Sequence, residues 1–462
     1  MTHDLDATLT TVTDRDQPYA GLDKTMTTAS PEYPRILVTP PGPKAQEIIA
    51  RDQAYSSTSY IKEYPLAIAG GQGAMVEDVD GNRYIDWMAG IAVSSTGYNH
   101  PKVVRAVQDA AGRFLHICGT DFYYEGFSNL CERLAKSFGG ADKRRVFLTN
   151  SGTEAVEGAI KMARQHTHRH AIISFQSAFH GRSYAAMSLS ASKVKYRKGF
   201  GPLMPGVYHL PFHNPYRNTV AECIHAAEHL FESQVSPEEV AAVVMEPLQG
   251  EGGYVVPAPE FLAYWRKLCS DHGIVLIYDE IQSGVGRTGK MWASDHFGIE
   301  PDVTLTAKGI ASGMPIGAII AKESVMSWAR GSHGSTFGGN PVSCAAALAT
   351  LDLVESELAD NARRMGERLT AGLRELATRH HAIGDVRGLG LFIGVEFVKD
   401  RTTREPDGHF VGRLEQLAFT RGLLLLGCGK SVIRVAPPLV LNDYDVDKGL
   451  EIMDACLSEL GG

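Results

Sequence analysis

The chain has 462 residues, of which 44% are hydrophobic and 21% are charged, and its formal net charge at pH 7 is −8. This composition predicts a globular protein long enough for two domains or one large α/β domain. The acidic balance argues against a nucleic-acid-binding protein, and no apolar run approaches the roughly 18 residues of a membrane-spanning helix.

The first residues of the chain are polar and acidic, and they lack the apolar segment of a secretory signal. We expect a flexible tail over residues 1–34. The seven cysteines are scattered and form no Cys-x-x-Cys pair. Such spacing is typical of reduced thiols, so we expect a cytoplasmic protein without a disulfide framework.

Regular structure is predicted from about residue 44, where "AQEIIARDQAY" favours a helix. Two short strands around an Asp-Gly turn follow in "GAMVEDVDGNRYIDWMAG". From about residue 100, helices such as 151–167 and 257–272 alternate with short apolar strands. The strands are predicted at 144–150, 171–176, 240–247, 273–280, 302–307 and 316–321. Strands that are apolar throughout and separated by helices indicate a parallel or mixed sheet buried on both faces.

After Pro341 the pattern predicts one long helix over 342–376, then strands and a final αβ segment. We therefore expect an N-terminal part of a small domain at 35–99, a large cofactor-binding domain at 100–340 and the C-terminal part of the small domain at 341–462. The run "HTHRH" has no acidic or cysteine ligands near it in sequence, so no metal site is predicted there. The basic run "ASKVKYRKGFGP" at 191–202 is interpreted as a solvated face, and attraction of an anionic substrate is the alternative.

Several predicted strands end in a chemically reactive or charged residue, and ligands of α/β sheets collect beyond such ends. Lys308 follows one apolar strand, Asp279 ends another, and Glu246 and Glu251 follow a third. Residues 151–153, Ser-Gly-Thr, open a helix whose N-terminus favours an anion. Each feature alone is commonly a cap or a surface residue. Together the amine, the carboxylate and the anion site suit pyridoxal phosphate, which needs all three.

Six segments resemble, in order, the signatures of class III pyridoxal-phosphate-dependent aminotransferases of the 4-aminobutyrate/ornithine group. They are "NSGTEAVEGAIKMAR", "AFHGRSYAAMSLS", "MEPLQGEGGY", "YDEIQSGVGRTGKMWA", "TAKGIASGMPIGA" and "GSTFGGNPVSCAAALA". The resemblance covers about residues 36–458. It implies the α/β fold called fold type I, in which helices flank a mostly parallel seven-stranded sheet and a smaller α+β domain is attached.

The resemblance also implies roles around the cofactor. Lys308 matches the Schiff-base lysine that also moves the substrate proton, and Asp279 matches the partner of the ring nitrogen. The other ring and phosphate contacts match Phe179, His180, Ile281, Gln282, Gly152 and Thr153. The family often has tyrosine where this chain has Phe179. Thr336 matches a threonine that reaches the neighbouring subunit's phosphate, which implies a homodimer with shared active sites; whether dimers pair further stays open.

For the substrate, Arg182 resembles the arginine that grips a carboxylate. Glu251 and Arg434 resemble an ion pair that closes for ω-amino substrates and opens when Arg434 takes the carboxylate of an α-amino acid or of 2-oxoglutarate. A static structural salt bridge is the alternative. Ile91 aligns with a residue that lines the pocket and helps to set substrate size.

Three functions follow from these assignments. The first is an aminotransferase that moves the amino group of ornithine, 4-aminobutyrate or a similar ω-amino substrate to 2-oxoglutarate. The second is an amino-acid racemase or epimerase of the same fold, which needs a second acid/base opposite Lys308; the sequence nominates none. The third, an inactive cofactor-binding protein, is disfavoured because Lys308, Asp279 and the phosphate turn are all intact. The preferred amino donor stays open.

Overall fold

The computed structural model describes residues 33–461, so all but the last two residues of the predicted tail at 1–34 lie outside the described residues. No helix between residues 33 and 461 is long and apolar enough to cross a membrane.

The strands of the described chain are β1 (Ile68–Gln72), β2 (Met75–Asp78), β3 (Arg83–Asp86), β4 (Arg144–Thr149), β5 (Ala171–Phe175), β6 (Val207–Leu210), β7 (Val240–Met245), β8 (Val275–Asp279), β9 (Val303–Thr306), β10 (Gly317–Lys322), β11 (Ile383–Leu389), β12 (Phe392–Phe397), β13 (Leu423–Leu424), β14 (Leu426–Cys428) and β15 (Val432–Val435).

Its α-helices are α1 (Pro43–Tyr55), α2 (Ala89–Ala92), α3 (Pro101–Ala111), α4 (Glu125–Lys136), α5 (Gly152–Thr167), α6 (Tyr184–Leu189), α7 (Val220–Ser233), α8 (Pro259–His272), α9 (Pro341–Leu353), α10 (Ala359–Arg379), α11 (Gly408–Thr420) and α12 (Asp443–Glu459).

The central sheet has seven strands in the order β4-β10-β9-β8-β7-β5-β6. Strand β10 runs antiparallel to both of its neighbours, and the other pairs are parallel. Successive side chains alternate between two cores: Ile173 packs with Trp265 of α8 on one face, and Ile172 packs with Ala159 of α5 on the other. The predicted mostly parallel, doubly covered sheet is confirmed.

Two smaller sheets complete the fold, in the orders β1-β2-β3-β13 and β11-β12-β15-β14. In the first sheet, Leu423 of β13 pairs in parallel with Ile85 of β3, so the two ends of the described chain share one sheet. The predicted hairpin in 75–86 is confirmed by the antiparallel pairing of β2 with β3. The domain limits after residues 99 and 340 stay a prediction.

The helix predicted over 342–376 is formed by α9, a π-helical turn at Val354–Leu358 and α10. The backbone dihedrals stay helical at both junctions, so the chain does not break there. Helix α9 packs against the short 3-10 turn Lys308–Ala311, which supports the segment that follows β9.

Candidate active site

A cavity of about 350 Å³ opens at the carboxyl ends of β7, β8 and β9. Glu246 directly follows β7, Asp279 ends β8, and Lys308 lies two residues beyond β9. Because β10 is antiparallel, the loop that enters it also reaches this edge and contributes Gly313–Ile316 to the wall. Nine of the thirteen residues predicted for the site line the cavity: Gly152, Thr153, Phe179, His180, Glu251, Asp279, Ile281, Gln282 and Lys308.

Lys308 has a left-handed backbone, with φ of 45°. Its amine forms no hydrogen bond or ion pair within residues 33–461, although it faces the cavity. Burial lowers the pKa of this amine, and the nearby negative charges of Asp279 and Glu246 only partly oppose the effect. A lowered pKa leaves more of the amine unprotonated and therefore nucleophilic.

Asp279 and His180 are buried together beneath the cavity. Nδ1 of His180 lies 2.7 Å from Oδ2 of Asp279, and the backbone N–H of Ile281 donates to Oδ1 at 3.1 Å. Burial alone would lower the pKa of His180, but the hydrogen bond and the charge of Asp279 raise it overall. The other ring nitrogen, Nε2, is buried without a partner among the described residues. The pair therefore presents to the cavity a carboxylate whose orientation is fixed by hydrogen bonds from the His180 imidazole and the Ile281 N–H.

Glu246 was singled out in the sequence as a strand-end acid without a role. Its carboxylate accepts hydrogen bonds from the backbone N–H groups of Phe179, at 3.0 Å, and Gly250, at 2.7 Å. Burial raises its pKa to about 7, with an opposing effect from His180 and a further increase from Asp279. Glu246 thus ties together two loops that border the cavity.

The N-terminus of α5 forms an anion site in the cavity wall. Ser151 accepts from the N–H groups of Glu154 and Ala155, through Oγ and through the backbone carbonyl. Within the described chain, the N–H groups of Gly152 and Thr153 have no acceptor, and both residues face the cavity. A Cβ atom on Gly152 would lie only 2.7 Å from Cδ1 of Ile281, so the close approach requires glycine. Free N–H groups at a helix N-terminus favour a phosphate.

The predicted partners Glu251 and Arg434 form an ion pair at 2.9 Å between Oε2 and Nη2. Both side chains are buried, and Arg434 also donates to the carbonyl of Gly427 at 3.1 Å. Burial opposes ionisation of both groups, but their mutual attraction prevails: the pKa of Glu251 is lowered and that of Arg434 is raised. Glu251 lines the cavity, and Arg434 is connected to the cavity wall through this ion pair.

Sequence reasoning missed two further partners of Glu251. The amine of Lys193 lies 3.0 Å from Oε1, and the hydroxyl of Tyr196 donates to the same oxygen at 3.4 Å. Both belong to the basic run at 191–202, so its interpretation as a solvated face is wrong for these two residues. The Arg182 guanidinium lies over the Tyr196 ring, 4.6 Å from its centroid. No pattern in the sequence signals these contacts, because Glu251 is more than fifty residues away along the chain.

The remaining predicted residues do not line the cavity. Ile91 is exposed and belongs to a left-handed turn in which Ala89, Gly90, Ile91 and Ala92 all have positive φ. Thr336 is exposed as well. Its neighbour Ser335 accepts from the side-chain amide of Asn150 at 3.1 Å, so this segment adjoins the α5 N-terminus.

Comparison with known proteins places this geometry in a family. The sequence model described as "Aminotransferase class-III" matches residues 57–457, most of the chain. The chain belongs to the class III aminotransferases.

Individual relatives of this class III aminotransferase differ in activity. It is 42% identical to the 4-aminobutyrate aminotransferase of Mycobacterium tuberculosis over 449 residues, which cover 94% of this chain and 100% of the relative. It is 39% identical to the alanine/serine racemase of Pyrococcus horikoshii, with 93% of each protein covered. The solved ornithine aminotransferase from Toxoplasma gondii superposes with a TM-score of 0.80 at 32% identity, covering 90% of this chain and 95% of the other.

Class III aminotransferases depend on pyridoxal phosphate, and the cavity of this aminotransferase fits that cofactor. The amine of Lys308, which has no hydrogen-bond or ion-pair partner in the described part of the chain, is available for the aldehyde. The oriented carboxylate of Asp279 suits a protonated ring nitrogen. The free N–H groups of Gly152 and Thr153 suit the phosphate, and the missing side chain of Gly152 leaves room for it beside Ile281.

Proposed function

We propose that this aminotransferase moves an amino group from an ω-amino substrate, such as ornithine or 4-aminobutyrate, to 2-oxoglutarate. The observation that supports this assignment is the buried ion pair of Glu251 and Arg434 at the cavity wall. An ω-amino substrate has no carboxylate on its reacting carbon, so a closed, neutral pair suits it. An α-keto acid has a carboxylate on its reacting carbon, and Arg434, once released from Glu251, can bind that carboxylate in a bidentate manner.

Each cofactor contact predicted from the sequence has a place in this proposal. Lys308 would hold the aldehyde of pyridoxal phosphate through Nζ, and this group would supply an electron sink for the substrate carbon that bears the amine. Asp279 would hold the ring nitrogen, and Gly152 and Thr153 would hold the phosphate. Phe179, Ile281, Gln282 and His180, which also line the cavity, would surround the ring.

Lys308 also moves the proton in this proposal. When it is not linked to the cofactor, Nζ of Lys308 would take the proton from the substrate carbon. Its lowered pKa suits this role, because a general base must be largely unprotonated near neutral pH. The far carboxylate of the substrate is assigned to Arg182, whose guanidinium lies on the Tyr196 ring next to Glu251. Ile91 is assigned to the substrate entrance.

The similarity to an alanine/serine racemase supports racemisation as a second candidate. Racemisation needs a second acid or base on the face opposite Lys308. The other ionisable side chains that line the cavity are already engaged: His180 with Asp279, Glu246 with two backbone N–H groups, and Glu251 with Arg434 and Lys193. Because Lys308 is the one lining group without a protein partner among the described residues, we favour the one-base reaction of an aminotransferase.

The deciding experiment incubates the purified holoenzyme in deuterated water with single amino acids and no keto acid. The cofactor spectrum and the chirality of the recovered substrate are followed together. Conversion of the cofactor to its pyridoxamine form by ornithine or 4-aminobutyrate supports the proposed function. A racemase is identified instead if the cofactor spectrum shows no such conversion and the recovered amino acid is racemic and carries deuterium on its α-carbon.

We also propose that the enzyme is a homodimer whose subunits share active sites. An exposed apolar surface adjoins Thr336: the Phe337 side chain is 60% exposed and contacts the His116 ring at 5.0 Å, and Leu115 is 69% exposed beside it. A second copy that covers this surface would bring Thr336 towards the neighbouring phosphate. Phe337→Asp should therefore give monomers with weakened cofactor binding in analytical ultracentrifugation, whereas Ile68→Asp, a comparably exposed position, should stay dimeric.

A cytoplasmic location is proposed from the thiols. All seven cysteines are unpaired, and five of them are buried. Reduced thiols persist in the reducing cytosol and are rare in exported proteins. Cell fractionation with an antibody against the native protein tests the assignment.

A further inference from the structure

Glu251 is held by two cations from different parts of the chain. Oε2 pairs with Arg434 at 2.9 Å, and Oε1 pairs with Lys193 at 3.0 Å. The Tyr196 hydroxyl completes the shell of Oε1 at 3.4 Å. The attraction of Glu251 raises the pKa of Lys193 although burial opposes it, so the amine stays charged. One carboxylate therefore lies between two positive charges.

The cluster of Glu251, Arg434 and Lys193 has a net charge of +1, which matches one additional carboxylate. A substrate carboxylate that binds Arg434 leaves two neutral pairs: the substrate with Arg434, and Glu251 with Lys193. Without Lys193, the same exchange would strand a largely buried carboxylate, whose side chain is only 10% exposed, without a cation. Breaking a buried pair in this way is strongly unfavourable.

We infer that Lys193 is a positioning residue that receives Glu251 when Arg434 is released to bind the carboxylate on the reacting carbon of an α-amino or α-keto acid. This inference rests on the proposed function. Lys193 does not touch the reacting atoms. It stabilises Glu251 while Arg434 binds the keto acid, in the second half-reaction of the two-substrate cycle. The ω-amino half, in which the Glu251–Arg434 pair stays closed, does not need it.

The location of Lys193 suits this role. Its side chain is 31% exposed, compared with 7% for Arg434, so it belongs to the more solvated side of the cluster. It lies in a loop just before the 3-10 turn Val194–Tyr196. Tyr196, which also contacts Oε1 of Glu251, belongs to this turn, and the Arg182 guanidinium lies over its ring. The loop therefore connects the Glu251–Arg434 ion pair with Arg182, the arginine proposed to bind the far carboxylate of the substrate.

The test compares Lys193→Met with Lys195→Met in separate half-reactions of the holoenzyme. Lys195 is an exposed lysine two positions along that contacts the Tyr196 ring at 5.6 Å and forms no ion pair within residues 33–461, so it is a matched control. For Lys193→Met, we expect KM for 2-oxoglutarate to rise about 10- to 100-fold. The 4-aminobutyrate half-reaction should change less than about threefold. Lys195→Met should change neither.

Binding of glutarate, an unreactive dicarboxylate, supplies a readout that does not depend on turnover. Its dissociation constant, measured by calorimetry on the holoenzyme, should rise with Lys193→Met and recover with Lys193→Arg. An equal loss in both half-reactions, or unchanged glutarate binding, overturns the inference. Failure of the native enzyme to transfer an amino group from any ω-amino donor overturns the proposed function instead, and the two failures are therefore distinguishable.

Discussion

Nδ1 of His180 lies 2.7 Å from Oδ2 of Asp279, and both side chains are almost fully excluded from solvent. The carboxylate is fixed on its other oxygen by the N–H of Ile281. Burying a carboxylate is costly unless it is paired and hydrogen-bonded, and the imidazole of His180 and the N–H of Ile281 supply both kinds of contact. The environment that Asp279 presents to the cavity is therefore a property of the pair.

Replacing His180 with Asn should weaken the electrostatic stabilisation of the Asp279 carboxylate. The shorter amide can donate a hydrogen bond, but it cannot carry a positive charge beside Asp279. We expect the half-reaction rate to fall about 10- to 100-fold, as one lost charged hydrogen-bond partner implies. Stopped-flow measurement across pH 5–9 tests this, because a purely structural role would lower the rate without changing the pH profile. A native rate and profile would contradict the assignment.

Lys308→Ala should abolish the covalent link between protein and cofactor. The native enzyme should change its absorbance on borohydride reduction and retain the cofactor after denaturation, and the variant should do neither. Activity should fall by at least the factor of about 10²–10⁴ that a positioned proton-transfer group supplies. The control is Lys322→Ala. Lys322 is the last residue of β10 and pairs with Asp302. Retention of the link in Lys308→Ala would exclude Lys308 as the anchor.

Glu251→Ala should shift preference between substrate types. Without its partner, Arg434 presents an unpaired cation to the cavity, which disfavours ω-amino donors and favours a carboxylate on the reacting carbon. The ratio of kcat/KM for 4-aminobutyrate to that for an α-amino acid should fall about tenfold or more. An equal loss for both donors would reduce the pair to a structural salt bridge.

Gly152→Ala should impair cofactor binding. The new methyl group would approach the Ile281 side chain to 2.7 Å, and the two groups must separate within the cavity wall. Overpacking of this kind costs about 1–3 kcal/mol. Where Ile281 relieves it by moving into the cavity, the affinity for pyridoxal phosphate should fall by roughly 5- to 150-fold. Equilibrium titration of the apoenzyme measures it. Gly139→Ala, with nothing within 4 Å of the added Cβ, should bind normally.

Glu246 makes stability depend on pH. Burial raises its pKa from 4.5 to about 7, so the folded protein holds this proton more tightly than the unfolded chain. The stabilisation is complete below pH 4.5 and is lost as pH rises through 7, by up to about 3 kcal/mol in the free energy of unfolding. Glu246→Gln has no ionisable group at this position, so its free energy of unfolding should lack this decline. Urea unfolding at pH 5 and pH 8 tests it; parallel declines in both proteins would contradict the prediction.

The strands around the site could be predicted because they are buried on both faces and apolar throughout, as in β7, β8 and β9. Strand β6 was missed for the opposite reason. It lies at the edge of the sheet, three of its four residues are only partly buried, and it pairs with β5 alone. An edge strand of this length has no apolar pattern to distinguish it from a loop.

The position of the cavity could be predicted because Asp279 and Lys308 lie at strand ends and Gly152 and Thr153 open a helix, where local sequence determines position. The roles of these residues towards the cofactor stay a prediction. The partners of Glu251 could not be predicted. Lys193 reaches Glu251 through the folding of a loop, and a lysine in a basic run is usually solvated. The role of Glu246 was missed because its ligands are backbone N–H groups, which have no residue-type signature.

The parallel pairing of β13 with β3 has a consequence for how the protein is made. Residues 422 and 424 supply the carbonyls that accept from the N–H groups of Ile85 and Trp87. At synthesis rates on the order of 10 residues per second, the ribosome needs about half a minute to travel from one strand to the other. Throughout that interval the edge of β3 from Ile85 onward lacks its partner strand, beside a tryptophan that is fully buried in the finished protein. A nascent chain that stalls before Leu424 cannot form this pairing, and we expect such a chain to become a substrate for chaperones and proteases.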